Sequence, residues 1–457
     1  MKRLRLQDVL KTKPYPFQFK GIRFLHKCEG RAILGDDMGV GKTIQVLGWL
    51  ASTPAAQKFV VIVCPAVAKG PWSSQIAEHT HLCHQVLSST KAQPITENVV
   101  VINYDILHHW LPVLLAKKPT TLIMDECHHI KNRKAKRTLA CMALSRWADH
   151  VIATSGTPII NRPVEFWPAL NMVDSVEFRA FTTYGMRYCD PQINEWSGHI
   201  EYKGSSNIQE LHERLSPIFL RRTKAEVLPE LPEKNRIRVP VTIDRKEYDQ
   251  AETNFLTWYR GVAGKEKAKR AKKATALVRL GQLKKLAARH KVPIACEWIK
   301  EFMADSDEKL VVFCHHKEVA AALRKAFPQA AVGGGSSTHR IEQVDRFQND
   351  PACRLFIGST KADGVSITLT AAATVLFLEL GWTAAEHEQA EDRINRIGQT
   401  ADHITIYYML AEATVEAYVL DLIDTKRQIV NVVLDGKQDQ NEWLRIIKRM
   451  VFEKKHR

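Results

Sequence analysis

The segment Gly35-Asp36-Asp37-Met38-Gly39-Val40-Gly41-Lys42-Thr43 joins the apolar run Ala32–Leu34 to the helical spacing Ile44, Leu47, Leu50. Glycines in such a strand–loop–helix unit let backbone N–H groups approach phosphates, and the helix N-terminus adds partial positive charge. Gly39, Val40 and Gly41 would cradle a nucleotide. Lys42 would reach the β/γ-phosphates of ATP, and the Thr43 hydroxyl would ligate Mg²⁺. Asp36 stands five residues before Gly41, where the strict phosphate-loop pattern has Gly or Ala. A purely structural glycine turn is the competing reading.

A second constellation, Asp125-Glu126-Cys127-His128, follows the apolar run Thr121–Met124. Carboxylates at the C-terminal end of a buried strand face the crevice where α/β sheets bind ligands. Phosphoryl transfer to water needs one acid in the Mg²⁺ shell and one to orient and deprotonate the attacking water. Asp125 suits the first role and Glu126 the second; two solvated surface acids are the alternative. Farther on, Thr383-Ala384-Ala385-Glu386 has the form of a capping box that opens a helix towards Gly398. On that helix Arg393 and Arg396 would share a face and could stabilise the charge that develops on a transferred phosphoryl group. They could equally bond acids of their own domain.

These residues need rigid elements to hold them. Apolar runs at Phe59–Cys64, Val99–Ile102, Thr121–Met124 and Val151–Thr154, and later at Leu310–Cys314, Leu355–Ile357, Thr374–Leu378 and Ile404–Leu410, alternate with helical patterns. Several are continuous rather than alternating, as parallel strands covered on both faces require. The fold class expected is α/β, with two parallel-sheet lobes and helical insertions. A length of 457 residues accommodates two such lobes. The expected limits are a first lobe over 1–235, with a helical protrusion at about 160–235. A basic helical insertion or linker follows over 236–300, a second lobe over 301–430, and a basic tail over 431–457.

The formal charge of +16 favours a polyanionic partner, nucleic acid before anionic membrane. Eleven Lys or Arg fall between Lys265 and Lys291 against the single acid Glu266. Lys272, Lys273, Lys284 and Lys285 of that run are candidates for phosphate contact, with a solvated face as the plainer alternative. No run reaches the ~18 apolar residues needed to cross a bilayer, and the N-terminus lacks an apolar signal core. Nine cysteines contain no CxxC pair, which argues against a zinc site and for reduced thiols in a soluble, intracellular protein. The doublets His108/His109, His128/His129 and His315/His316 lack metal-site spacing and read as polar loop or hydrogen-bonding residues.

Taken together, the segments resemble the SWI/SNF-type ATPases of helicase superfamily two. The run Gln389-Ala390-Glu391-Asp392-Arg393-Ile394-Asn395-Arg396-Ile397-Gly398-Gln399 is similar to the family's second arginine motif, and Asp36–Thr43 to its acid-, Met- and Gly-rich phosphate loop. The resemblance implies two RecA-like lobes closing on one ATP. It further implies adenine contact by Gln18 in Tyr15-Pro16-Phe17-Gln18, nucleotide contact at Gln399, and coupling through Ser155-Gly156-Thr157-Pro158. The fifth motif, Ser359–Ser366, would meet DNA and nucleotide, with Thr360 as a DNA contact. Finer matches at Arg187–Asp190, Gly204–Asn207, Leu220–Lys224 and Val312–Lys317 look like the annealing-helicase branch. Cys127, Asn395, Asp363 and Ser366 depart from the residues common in the family. The function implied is an ATP- and Mg²⁺-dependent translocase on double-stranded or branched DNA; the alternatives are a strand-separating helicase of the same superfamily and a catalytically silent DNA-binding scaffold.

Overall fold

The computed structural model describes residues 6–156, 163–193, 199–202, 204–262, 269–335, 337–360, 367–382, 384–421 and 423. The chain divides into two compact units between Glu230 and Leu231.

The first unit is built on a seven-stranded sheet. Its strands are β1 (Arg31–Leu34), β2 (Val60–Cys64), β3 (His84–Leu87), β4 (Val99–Asn103), β5 (Thr121–Met124), β6 (His150–Thr154) and, after a small antiparallel hairpin β7 (Pro191–Ile193) and β8 (Ile200–Tyr202), β9 (Phe219–Leu220). Their order is β3-β4-β2-β5-β6-β1-β9, every neighbour parallel. The continuous apolar runs follow from this position, because β2, β4 and β5 are buried along their whole length. Along β2, Val61 and Val63 enter one core while Val60, Ile62 and Cys64 enter the other, so both sheet faces are covered. The aromatic stretch expected as a protrusion joins one of these cores through Phe166, Trp167, Tyr184 and Tyr188.

The second unit contains a six-stranded sheet. Its strands are β10 (Glu233–Val241), β11 (Leu310–Cys314), β12 (Ala331–Val332), β13 (Leu355–Ser359), β14 (Thr374–Phe377) and β15 (His403–Ala411). They run in the order β10-β15-β14-β11-β13-β12, again all parallel. Val311 and Phe313 pack on one face and Leu310, Val312 and Cys314 on the other. Each unit is thus a helix-covered parallel sheet of the RecA-like kind.

The boundary lies earlier than residue 235, and residues 236–300 are not a separate insertion. β10 pairs with β15 over nine residues, from Glu233↔His403 to Val241↔Ala411. The helix Lys269–Asp305 supplies Leu280, Leu283, Ala287, Ala288, Ala295 and Ile299 to the second unit's cores. The expected tail over 431–457 lies outside the described residues.

Candidate nucleotide-binding site

In the first unit the loop after β1 turns into the helix Lys42–Ala51, with Gly41 as its N-cap. Gly39 and Gly41 both have φ of +83°, a left-handed conformation that a side chain would strain. A Cβ at Gly41 would also stand 2.4 Å from Nε2 of Gln18. That amide is buried, donates to the Val40 carbonyl at 3.2 Å, and accepts from the Tyr15 N–H at 2.9 Å. Gln18, Val40 and Gly41 therefore form one packed corner. Beside it lies a cavity of about 530 Å³ lined by Tyr15, Phe17, Lys20 and Arg221 among others.

Lys42 donates to the carbonyls of Asp36 and Asp37 at 2.7 and 3.1 Å. Phosphate oxygens would compete for that ammonium as stronger, charged acceptors. Asp36, the departure from the usual loop pattern, is fully buried and ion-paired with Arg222. Thr43 is half-buried in the first turn of the helix.

β5 delivers Asp125 and Glu126 to the same edge. Asp125 Oδ2 accepts from the Trp72 indole at 2.8 Å and Oδ1 accepts from the Thr154 hydroxyl at 2.7 Å. The Asp125 carbonyl accepts from the Tyr104 hydroxyl at 2.8 Å. Burial, and then the neighbouring Glu126 charge, push the Asp125 carboxyl above its ordinary range; the Trp72 and Thr154 hydrogen bonds and the Lys42 ammonium pull it back. The carboxylate is thus clamped in orientation and lies within the field of Lys42. Glu126 has φ 49° and ψ 57°, left-handed geometry for a residue with a side chain. Such strain persists only where surrounding structure enforces it and concentrates at functional positions. Its Oε2 lies 3.2 Å from Nδ1 of His128.

At the end of β6, a Cβ on Gly156 would meet Met38 Cγ at 2.1 Å and Lys42 Nζ at 3.2 Å. That glycine is therefore required for the strand end to approach the phosphate loop. Thr157 and Pro158 lie outside the described residues.

Mg²⁺ bound with a nucleotide commonly takes one or two carboxylates plus phosphate oxygens. Asp125 supplies an oriented carboxylate and the Thr43 hydroxyl is placed on the adjoining helix, so these residues fit the ion. Among the described residues no group of three or more His, Cys, Asp and Glu could hold a metal. The histidine doublets have other engagements. His129 stacks on Tyr104 with centroids 5.4 Å apart, and the backbone N–H groups of His315 and His316 both donate to Glu379.

In the second unit the expected arginine helix ends at Glu391, so Arg393 and Arg396 are not carried on a helical face. They converge by another route. Both Nη1 atoms lie 3.4 Å from the Ile367 carbonyl, and Arg396 also donates to the Thr368 hydroxyl at 2.8 Å. The helix end is anchored by acids. Glu391, fully buried, accepts from Lys234, from Arg236 at 2.6 Å and from the Tyr408 hydroxyl at 2.7 Å, while Asp392 accepts from Lys234 at 2.7 Å. The acids of the Glu391-Asp392-Arg393 run thus bind Lys234 and Arg236 of β10.

Three of the expected contact residues have partners inside the second unit. Gln399 gives its amide protons to the Ala372 and Ile394 carbonyls and its oxygen to the N–H groups of Thr400 and Ala401. These bonds tie it both to its own loop and to the connection between β13 and β14. Lys284 is buried, donates to the Leu380 carbonyl at 2.6 Å and sits 3.9 Å above the Trp382 ring. Thr360 is buried and its hydroxyl donates to the Cys314 carbonyl at 3.2 Å. Lys285 is exposed and pairs with Glu318 at 2.7 Å. The side chains of Lys272 and Lys273, and the fifth-motif residues 361–366, lie outside the described residues.

Sequence reasoning missed Trp72, Tyr104, Thr154, Arg222, Lys234 and Arg236. Arg222 falls within the Leu220–Lys224 match but had no role assigned to it, and each of the six acts by touching a residue of a chemical motif.

Comparison with known proteins places these observations. A family model described as SNF2-related domain matches residues 17–291, and one described as helicase conserved C-terminal domain matches residues 291–398. The Homo sapiens protein named DNA annealing helicase and endonuclease ZRANB3 is 30% identical over 457 residues, spanning 95% of this chain and 42% of that protein. The Caenorhabditis elegans homolog of SWI/SNF-related matrix-associated actin-dependent regulator of chromatin subfamily A-like protein 1 is 32% identical over 440 residues, spanning 92% of this chain and 61% of that protein. The chain therefore spans less than two thirds of either relative. The solved Sulfolobus solfataricus SWI2/SNF2 ATPase core in complex with dsDNA aligns over 98% of this chain and 99% of that one, with 22% identity and a TM-score of 0.46.

Proposed function

The chain belongs to the SNF2-related family of helicase-type, DNA-dependent ATPases, and on that premise we propose that it is an ATP-driven translocase on double-stranded DNA. It remodels or reanneals branched DNA, or displaces bound proteins. The observation that carries this reading is the clamped Asp125 beside the strained Glu126, at the same sheet edge as Lys42.

The roles follow from chemistry. Lys42 neutralises charge on the β/γ-phosphates, and Gln18 borders the base end of the nucleotide. Asp125 and Thr43 hold Mg²⁺, which when bound would offset charge on the phosphates. Glu126 orients the attacking water and takes its proton. Arg393 and Arg396 stabilise the charge developing on the γ-phosphoryl group. DNA is held through phosphates, which need no base readout, and movement is largely independent of sequence. The surplus of cations in a chain of net charge +16 supports a polyanionic track. Among the described residues no helix is long and apolar enough to cross a membrane. The printed names of the two relatives, an annealing helicase and a chromatin regulator, support action on DNA structures.

Phosphate release stimulated by DNA, and lost in Lys42→Ala and Glu126→Gln, is the expected result. Hydrolysis absent with linear, forked and gapped DNA alike would refute the motor. Triplex displacement on the same substrates reports translocation without requiring unwinding.

A further inference from the structure

We propose that Arg222 is a positioning residue for ATP, acting through the buried carboxylate of Asp36. The inference rests on the nucleotide reading above and extends it to the Leu220–Lys224 segment, far in sequence from the phosphate loop. β9 adds to the sheet beside β1, with Ile33↔Phe219 and Leu34↔Leu220 in register. The pairing continues past the strands into the phosphate loop. The Gly35 N–H donates to the Leu220 carbonyl at 2.7 Å, and the Asp37 N–H to the Arg222 carbonyl at 3.0 Å. The Lys224 N–H then donates to Asp37 Oδ2 at 3.0 Å. Residues 220–224 thus template the first half of the loop.

The Arg222 side chain fastens three nucleotide-site elements at once. Its Nε donates to Asp36 Oδ1 at 3.0 Å and its Nη2 to Asp36 Oδ2. Nη2 also donates to Gln45 Oε1 at 3.0 Å, on the helix that follows the loop. Nη1 donates to the Phe17 carbonyl at 2.5 Å, one residue before Gln18. Gln45 closes the ring by donating to Asp36 Oδ2 at 3.1 Å. Close approach here requires Gly21, where a Cβ would stand 1.7 Å from Gln45 Oε1 and 3.2 Å from Arg222 Nη2.

Two physical effects follow. The carbonyl of Asp36 accepts from Lys42 while its carboxylate is held by Arg222, so the orientation of that residue, and of the lysine it receives, is set from both ends. A buried carboxylate next to a triphosphate would also repel it; the bidentate guanidinium neutralises that charge. Only Arg has the fork this demands. Asp36 replaces the usual small residue without loss because Arg222 comes with it.

The test measures binding of a fluorescent ATP analogue and steady-state ATPase kinetics on the full chain. Arg222→Gln is expected to weaken nucleotide binding and raise the KM for ATP by about tenfold or more, with kcat at saturation little changed. Asp36→Asn in that background removes the stranded charge and should recover most of the affinity. Arg222→Lys, which restores charge without the fork, should fall between. Should Arg222→Gln fail to fold by circular dichroism, the Arg222→Lys and Asp36→Asn pair decides on the same readouts. A folded Arg222 variant with wild-type affinity and KM overturns the proposal. So does a double variant whose loss equals the sum of the single losses. A wild-type chain that binds no analogue would instead overturn the nucleotide reading, and this inference with it.

Discussion

Lys291 and Glu416 form an ion pair at 2.8 Å that solvent does not reach, with side-chain exposures of 0% and 1%. The ammonium's other protons go to the Leu378 and Met409 carbonyls at 2.5 and 2.7 Å, so all three of its donors are used. The pair ties the long helix Lys269–Asp305 to the ends of β14 and β15. Removing one partner of such a pair leaves an uncompensated charge and costs about 3–5 kcal/mol. Lys291→Met should therefore lower the urea midpoint of the second unit by an amount of that order. A shift well under about 1 kcal/mol would mean the pair is not what fastens the helix.

Lys284, two turns back along the same face of that helix, makes a sharper case because a basic run invites a DNA role. Burial pushes its ammonium down to about 8, with Glu416, Glu379 and Glu386 acting in the opposite sense. Between that value and the ordinary lysine value near 10.4, the unfolded chain holds more protons than the folded one, so stability rises with pH across the window. Lys284→Met should flatten that rise, read as urea midpoints from about pH 8 to about pH 10, and leave the salt slope of DNA binding unchanged. A lowered salt slope would restore it to the DNA interface.

Trp72 holds the carboxylate expected to bind Mg²⁺. Residues that orient a metal ligand typically matter by about 10–100-fold in metal affinity or activity. Trp72→Phe keeps the ring and removes the N–H. It should raise the Mg²⁺ concentration needed for half-maximal hydrolysis by about tenfold, with the melting temperature nearly unchanged. An unaltered Mg²⁺ titration would show that the Thr154 hydroxyl suffices.

Arg393→Ala and Arg396→Ala should each lower kcat by about 10³-fold while nucleotide binding in the first unit changes little. Glu391→Gln should act on the same step indirectly, because it loosens the clamp from Lys234 and Arg236 that fixes the segment carrying both arginines. If the arginine variants hydrolyse ATP at wild-type rates, their convergence near Ile367 is structural alone.

What was legible in the sequence was what burial and backbone chemistry impose locally. Val60–Cys64 and Val99–Asn103 are buried on both faces, so their composition announces strands; Gly39 and Gly41 are glycines because their φ angles demand it. β10 was not legible. Its residues Glu-Lys-Asn-Arg-Ile-Arg-Val-Pro-Val read as a charged linker, and Pro240 argues against a strand interior. It is an edge strand, where proline is tolerated, and its cations are matched by Glu391 and Asp392 from a distant part of the chain. The burial of Lys284 and Thr360 was hidden for the complementary reason. A lysine in a basic run and a threonine in a loop motif look solvent-facing until the tertiary fold supplies a carbonyl for each to cap. Arg222 stood in a recognised segment, Leu220–Lys224, but its role was hidden, since its partner Asp36 lies on the other side of nearly the whole first unit in sequence.

The parallel pairing of β10 with β15 also governs how this protein can be cut. A recombinant piece limited to residues 291–398, where the helicase C-terminal model matches, would lack both strands and bare the outer margin of β14. Unpaired strand margins of that kind template association between molecules. A well-behaved isolated second half should therefore start at or before Leu231 and extend past Ala411, whereas the shorter piece should accumulate as insoluble material.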